Sequence, residues 1–307
     1  MSERPRLRLG TRSSPLARWQ AEHIAARLTA LGIDVEMIHI TTQGDVKAGP
    51  LGQIGGQGLF TKEIQRALLD DRIDLAVHSL KDLPTEHVEG LTLAAVPERE
   101  SPGDVLVSNQ VKSLDALPKG ARVGTGSTRR KAQLLHARPD LQILDIRGNV
   151  DTRLRKLDEG EYDAIVLAEA GLTRLGLTDR IAQVLPRSMM LPAVGQGALG
   201  IEARATDTST LVLLAPLNDA ATRHAVLAER AMLRALRGGC LAPVGAWGRI
   251  EEGQLLLDGV VLNADGTQRL HAAGTAHPDA AESLGEQIAQ ELLAEGAAAL
   301  IAGSRTA

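Results

Sequence analysis

Arg6-Leu7-Arg8-Leu9-Gly10-Thr11-Arg12-Ser13-Ser14-Pro15 decides the fold class, together with the helical pattern that follows it. Arg6 to Leu9 reads as an extended strand. Ala17, Ala21, Ile24, Leu28 and Leu31 then recur at spacings of 4, 3, 4 and 3, the apolar stripe of one helix face. Gly10 to Pro15 lies between them and sets hydroxyls and one arginine at a helix start, where free backbone N–H groups and the helix dipole favour negative charge. Val35 to Ile40 is a second strand, Thr61 is placed to cap a helix through Leu69, and Ile73 to His78 is a short buried strand. This β-α-β-α order predicts a largely parallel sheet.

Working outward, Pro97-Glu98-Arg99-Glu100-Ser101-Pro102-Gly103 is a polar break between two strand-like pieces in Leu91 to Val107, and marks a domain crossing. A second α/β unit follows: a strand near Val123, a helix from about Arg129, a strand Ile143 to Ile146, a helix from Asp151 to about Asp158 and a strand Ala164 to Leu167. Leu191 to Ile201 marks a second crossing. A chain that passes twice between two domains is expected to form a hinged pair around a ligand cleft. The last third differs, with a helix Thr222 to Arg237, β-rich segments such as Leu255 to Leu262 and a closing helix from Ala280 to about Leu300. The expected domains are 1–99 with 200–217, 104–193, and a small α+β domain over 220–307.

Composition narrows the function. Of 34 basic residues 7 are lysine and 27 arginine, against 38 acidic residues, for a net charge of −4. That balance disfavours a nucleic-acid partner, and Trp19, Trp247, Tyr162 and Phe60 are too few aromatics for base stacking. Arginine is instead suited to forked recognition of carboxylates and phosphates. No apolar run approaches the roughly 18 residues of a membrane span, and the start of the chain has no signal-peptide pattern. A single cysteine in 307 residues argues for a reducing compartment, here the cytoplasm, and against Cys-pair metal or redox motifs. The eight histidines show no ligand spacing, so no metal is expected. Nothing in the composition marks an obligate interface, and a monomer is expected.

Three segments at strand ends are built to hold anions: Gly10 to Pro15, Gly124-Thr125-Gly126-Ser127-Thr128-Arg129-Arg130, and Arg147-Gly148-Asn149-Val150-Asp151-Thr152-Arg153-Leu154-Arg155. Each alone reads as helix capping with solvated arginines; three in equivalent places describe a site for a ligand with several carboxylates or phosphates. A fourth, Asp74-Leu75-Ala76-Val77-His78-Ser79-Leu80-Lys81-Asp82-Leu83-Pro84, carries a carboxylate, Asp82, beyond a strand end, where it can stabilise a developing cation or pass a proton. The alternative is that Asp82 pairs with Lys81 or caps a turn. Gly124-Thr125-Gly126 is only the beginning of a dinucleotide fingerprint, and Arg129 replaces its third glycine, which weakens a dehydrogenase reading. Gly55-Gly56-Gln57-Gly58 lacks the ending of a phosphate-binding loop. Cys240 follows Gly238-Gly239 just beyond a helix C-terminus, where the dipole opposes a thiolate. It is either a buried filler or a point of attachment beside which the glycines leave space.

These motifs, with Leu191-Pro192-Ala193-Val194-Gly195-Gln196-Gly197 and Gly238-Gly239-Cys240, stand in the order found in the porphobilinogen deaminase family, which the chain resembles from about Arg6 to its closing helix. The resemblance implies a transferase of tetrapyrrole biosynthesis that condenses four porphobilinogen molecules head to tail, with loss of ammonia, and hydrolyses hydroxymethylbilane free. It implies two hinged α/β domains like those of periplasmic binding proteins plus the small α+β domain. It also implies a dipyrromethane cofactor joined to Cys240 by a thioether, with Asp82 as the catalytic carboxylate facing the azafulvenium cation. Lys81, Ser79, Ser127, Arg129, Arg130 and Thr125 match cofactor contacts; Arg12, Ser14, Arg147, Arg153, Arg174, Gln20 and Phe60 match substrate contacts. The chain departs from many relatives at Gln53 and Gln57, where lysines occur, and at Gly126, where serine is usual. The main alternative from another class is a solute-binding protein that closes on a polycarboxylate without chemistry.

Overall fold

The computed structural model describes residues 4–42, 61–239 and 242–304. The chain divides into two compact units, Met1–Arg99 with Ala198–Arg223, and Glu100–Gly197 with His224–Ala307. In chain order the first unit holds β1 (Arg6–Thr11), α1 (Pro15–Ala30), β2 (Asp34–His39), α2 (Lys62–Leu69), β3 (Leu75–Ser79) and β4 (Leu91–Ala95). The second begins with β5 (Asp104–Val107), β6 (Arg122–Gly124), α3 (Thr128–Ala137), β7 (Gln142–Leu144), α4 (Val150–Asp158), β8 (Ala164–Ala168), α5 (Glu169–Arg174) and β9 (Ile181–Val184). β10 (Leu199–Arg204) and α6 (Thr208–Leu214) belong to the first unit again, and α7 (Ala220–Ala235) runs from the first into the second. The second unit closes with β11 (Val244–Glu251), β12 (Gln254–Leu262), β13 (Arg269–Ala276), α8 (Ala281–Ala294) and α9 (Ala297–Gly303).

In the first unit the sheet order is β2-β1-β3-β10-β4. β2, β1 and β3 are parallel, while β10 runs antiparallel to both β3 and β4. The second unit repeats the plan as β7-β6-β8-β5-β9, with β5 antiparallel to β8 and β9. In both sheets the antiparallel strand is the first one after an expected crossing, so the expectation of a largely parallel sheet holds with one reversed strand in each.

The α1 stripe buries Ala21, Ile24 and Leu28 completely against Leu7, Leu9, Leu75 and Val77. Leu31 departs from the expected stripe and is 51% exposed. The helix has already stopped: Gly32 takes φ +82 and the Ile33 amide returns to the Leu28 carbonyl at 3.1 Å, a C-terminal cap that turns Leu31 outward. Thr61 stands before α2 in a helical conformation and caps nothing with its hydroxyl, contrary to expectation. The expected single closing helix is two, because Gly296 takes φ +102 and interrupts the run after α8.

The C-terminal part is an antiparallel sheet, β11-β12-β13. Leu255, Leu257 and Val261 pack on Met232 of α7, on Leu236 just beyond it, and on Leu284, Ile288 and Leu292 of α8. Two α/β sheets and a small α+β body are the architecture that the sequence implies.

Candidate active site

In the first unit, two strand ends carry the expected residues. At the end of β1 the Ser14 hydroxyl accepts from the Ala17 amide at 3.4 Å and caps α1, with Pro15 pre-set in the first turn. Arg12, between strand and cap, is partly exposed. Gln20, one turn along α1 and almost fully buried, donates from Nε2 to the Ser79 hydroxyl at 2.8 Å. Helix and strand thereby bring Gln20 and Ser79 together, as parts of one polar wall.

After Ser79 the chain makes a single 3-10 turn, Leu80–Asp82. Leu80 is buried and its amide donates to the Ala198 carbonyl at 3.0 Å, while the Leu83 amide closes the turn on the Leu80 carbonyl. This anchored turn leaves Lys81 half-buried and presents Asp82 to the outside. Among the described residues Asp82 makes no hydrogen bond or ion pair, so neither the Lys81 pairing nor the turn cap accounts for it. His78 points to the opposite face of β3, as strand alternation requires. There its Nε2 lies 3.0 Å from Glu202 Oε2, and Gln65 Nε2 donates to both Glu202 oxygens at 3.1 and 3.2 Å. His78 thus faces Glu202 behind the strand.

In the second unit Thr125 is buried at the end of β6 and its hydroxyl accepts from the Ser127 amide at 3.2 Å. Ser127 caps α3 by accepting from the Arg130 amide at 3.4 Å. Arg129 and Arg130 follow, and both turn inward onto Asp104. Arg129 Nη1 donates to Asp104 Oδ2 at 2.7 Å and to the Leu191 carbonyl at 2.6 Å. Arg130 donates from Nε to Asp104 Oδ1 at 2.8 Å and from Nη1 to the Val166 carbonyl at 3.0 Å. Asp104 is wholly buried. Burial alone would raise its pKa, but Arg129 and Arg130, helped by Gln196, reverse this and hold it well below the usual carboxylate range.

The other expected arginines are spread over this unit. Arg147 Nε donates to Asp145 at 3.0 Å, and Arg153 Nε to the Gly148 carbonyl at 2.8 Å, both at the exposed N-terminal end of α4. Arg174 is buried, donates to the Gly197 carbonyl at 2.7 Å, and has its pKa lowered by that burial against the opposing charge of Glu100. At Gly126 a Cβ would sit 3.0 Å from both the Ile146 carbonyl oxygen and Asp145 Oδ1, a tight fit for any larger residue.

The approach to the cysteine has its own physical reasons for glycine. Gly239 takes φ +63, and a Cβ on Gly238 would lie 2.8 Å from Leu233 Cδ1. Cys240 itself, like Phe60, Gln53 and Gln57, lies outside the described residues. Sequence reasoning missed Asp104, Gln196 and Glu229, each buried and polar: Gln196 Nε2 donates to Asp104 Oδ1 at 3.0 Å, and Glu229 accepts from the Gly195 and Gly248 amides. Gln196 lay within a quoted motif, and a lone polar side chain in an otherwise apolar, glycine-bearing run was the available signal for it. Among the described residues no group of three or more His, Cys, Asp or Glu side chains is placed to hold a metal ion, and no helix is long and apolar enough to cross a membrane.

Comparison with known proteins gives these clusters a context. Residues 7–212 match the family model described as porphobilinogen deaminase, dipyromethane cofactor binding domain, and residues 224–294 match porphobilinogen deaminase, C-terminal domain. The first match covers Asp82 and the arginine-bearing strand ends; Cys240 falls in the second. Porphobilinogen deaminases from two strains of Acidithiobacillus ferrooxidans are each 53% identical over 304 residues, 98% of this chain and 99% of theirs. Among solved structures, the methionine-binding protein MetQ aligns with TM-score 0.46 and 15% identity over 69% of this chain and 89% of its own, too distant to carry an argument. The two family matches and the near full-length identity agree with the motif order, and the chain belongs to the porphobilinogen deaminase family.

Proposed function

We propose that this chain is a hydroxymethylbilane synthase, a cytoplasmic transferase that joins four porphobilinogen molecules head to tail, releases ammonia from each, and hydrolyses the linear product free. The observation that carries the reading is Asp82: in a chain of this family, an exposed carboxylate with no partner among the described residues stands on a buried, hydrogen-bonded turn. A carboxylate held this way opposes the positive charge that grows on the pyrrole as its aminomethyl C–N bond breaks and ammonia leaves. Its oxygen then accepts the proton displaced when the new carbon–carbon bond forms.

The residues present fit a dipyrromethane group. Ser79, Lys81, Thr125, Ser127, Arg129 and Arg130 are hydrogen-bond donors suited to carboxylates, and Arg129 Nε is a buried N–H without an acceptor. The bound group supplies the pyrrole carbon to which the first substrate unit is joined, and Cys240 is its anchor in this reading. Arg12, Ser14, Arg147, Arg153, Arg174, Gln20 and Phe60 serve the acetate and propionate groups of the substrate. The domains are 1–99 with 200–217, 104–193 and 220–307, in a monomer that uses no metal.

The test is the ammonia released from porphobilinogen by Asp82→Ala. It folds and binds pyrroles as the native protein does, and its release falls about a hundredfold or more. Turnover near the native rate removes Asp82 from the mechanism. A solute-binding protein, the reading this family does not favour, returns porphobilinogen unchanged with no ammonia.

A further inference from the structure

Two buried guanidiniums, Arg129 and Arg130, share one buried carboxylate, Asp104. One carboxylate against two guanidiniums leaves one surplus positive charge among side chains that are almost wholly buried. Asp104 is locked: Oδ1 accepts from Arg130 Nε at 2.8 Å and Gln196 Nε2 at 3.0 Å, with Arg130 Nη2 in ion-pair range at 2.8 Å, while Oδ2 accepts from Arg129 Nη1 at 2.7 Å. Gln196 also donates to the Pro102 and Gly103 carbonyls, which fixes the backbone beside Asp104. Charges buried only for stability are expected to balance, and even balanced pairs are often replaceable by apolar residues without loss. This group is braced, unbalanced and has an unused donor in Arg129 Nε.

We propose that Asp104 is a positioning residue for carboxylate recognition: it braces Arg129 and Arg130 side by side while neutralising only one, which keeps a positive charge and the Arg129 Nε–H for a carboxylate of bound dipyrromethane. The proposal rests on the reading of Arg129 and Arg130 as cofactor contacts. Gln196 is part of the brace, because its amide sets the orientation of the carboxylate without adding charge.

The experiment follows cofactor loading by intact mass after incubation with porphobilinogen, normalised to folded protein by circular dichroism. Four variants are compared with the native chain: Asp104→Asn, Gln196→Leu, Arg129→Met and Arg130→Met. Leu185→Ala, which opens a cavity in the fully buried core of the same unit, is the control that loses stability without touching the triad. Folded Asp104→Asn loads on the order of tenfold to a hundredfold more slowly, as a misplaced binding group predicts. Gln196→Leu keeps every charge and also loads more slowly, which tests the brace if Asp104→Asn does not fold. Leu185→Ala loads like the native chain. Native loading by folded Asp104→Asn or Gln196→Leu overturns the proposal, as does equal slowing of Leu185→Ala. Should Arg129→Met and Arg130→Met load normally, the cofactor-contact reading itself fails.

Discussion

Glu229→Gln is a nearly isosteric change at a wholly buried carboxylate on α7. Glu229 Oε2 accepts from the Gly195 amide at 2.7 Å, and Oε1 accepts from the Gly248 amide at 2.8 Å. One side chain thus fastens α7 both to the Leu191–Gly197 segment and to β11. Glutamine has one acceptor oxygen, so it can serve only one of the two amides, and its NH2 group meets the other N–H donor to donor. Gly248 is pressed onto α7, where a Cβ would lie 2.5 Å from the Ala225 carbonyl oxygen. Losing a charge-assisted bond while leaving a buried donor unpaired costs about 2–5 kcal/mol. At about 2–4 °C per kcal/mol for a unit of this size, the melting temperature falls by about 5–20 °C. Differential scanning calorimetry measures the loss, and amide hydrogen exchange at Gly195 and Gly248 locates it. A loss below about 1 kcal/mol, with both amides still protected, refutes the reasoning.

Two more outcomes follow from the same packing. Gly197 takes φ +85, and a Cβ there would overlap the Glu100 carbonyl oxygen and lie 2.9 Å from that of Ser101, so Gly197→Ala loses about 2 kcal/mol or more in chemical denaturation. Asp104, whose pKa the two arginines depress, binds fewer protons when folded than when unfolded. Its contribution is therefore complete above the ordinary carboxylate value of about 3.9 and is lost progressively as pH falls below it. Acid titration of stability is expected to be steeper for the native chain than for Asp104→Asn, and equal slopes contradict the assignment.

Much of the fold was legible because periodicity reports burial. The α1 stripe and the apolar run of β3 lie close to where the residues place them, and the polar segments do follow strand ends. What the sequence concealed depends on tertiary partners. Asp104 opens a four-residue strand after a polar break, and nothing local says that two arginines 25 and 26 positions later converge on it. Glu229 stands on a helix face whose burial is decided by the β11 sheet. His78, in a motif with Ser79 and Asp82, serves the opposite face of the same strand. Helix ends were misjudged where glycines at positive φ intervene, at Gly32 and Gly296. For the site, the order of motifs gave the family before any geometry was known, while the arginine pair's internal carboxylate required the structure.

The central claim, a cofactor-primed transferase with Cys240 as anchor, is tested most directly by the intact mass of the purified protein. The account predicts a mass above that of the sequence by two linked pyrrole units, and the sequence mass alone for Cys240→Ala. An active protein that carries no added mass, or added mass that survives Cys240→Ala, contradicts it.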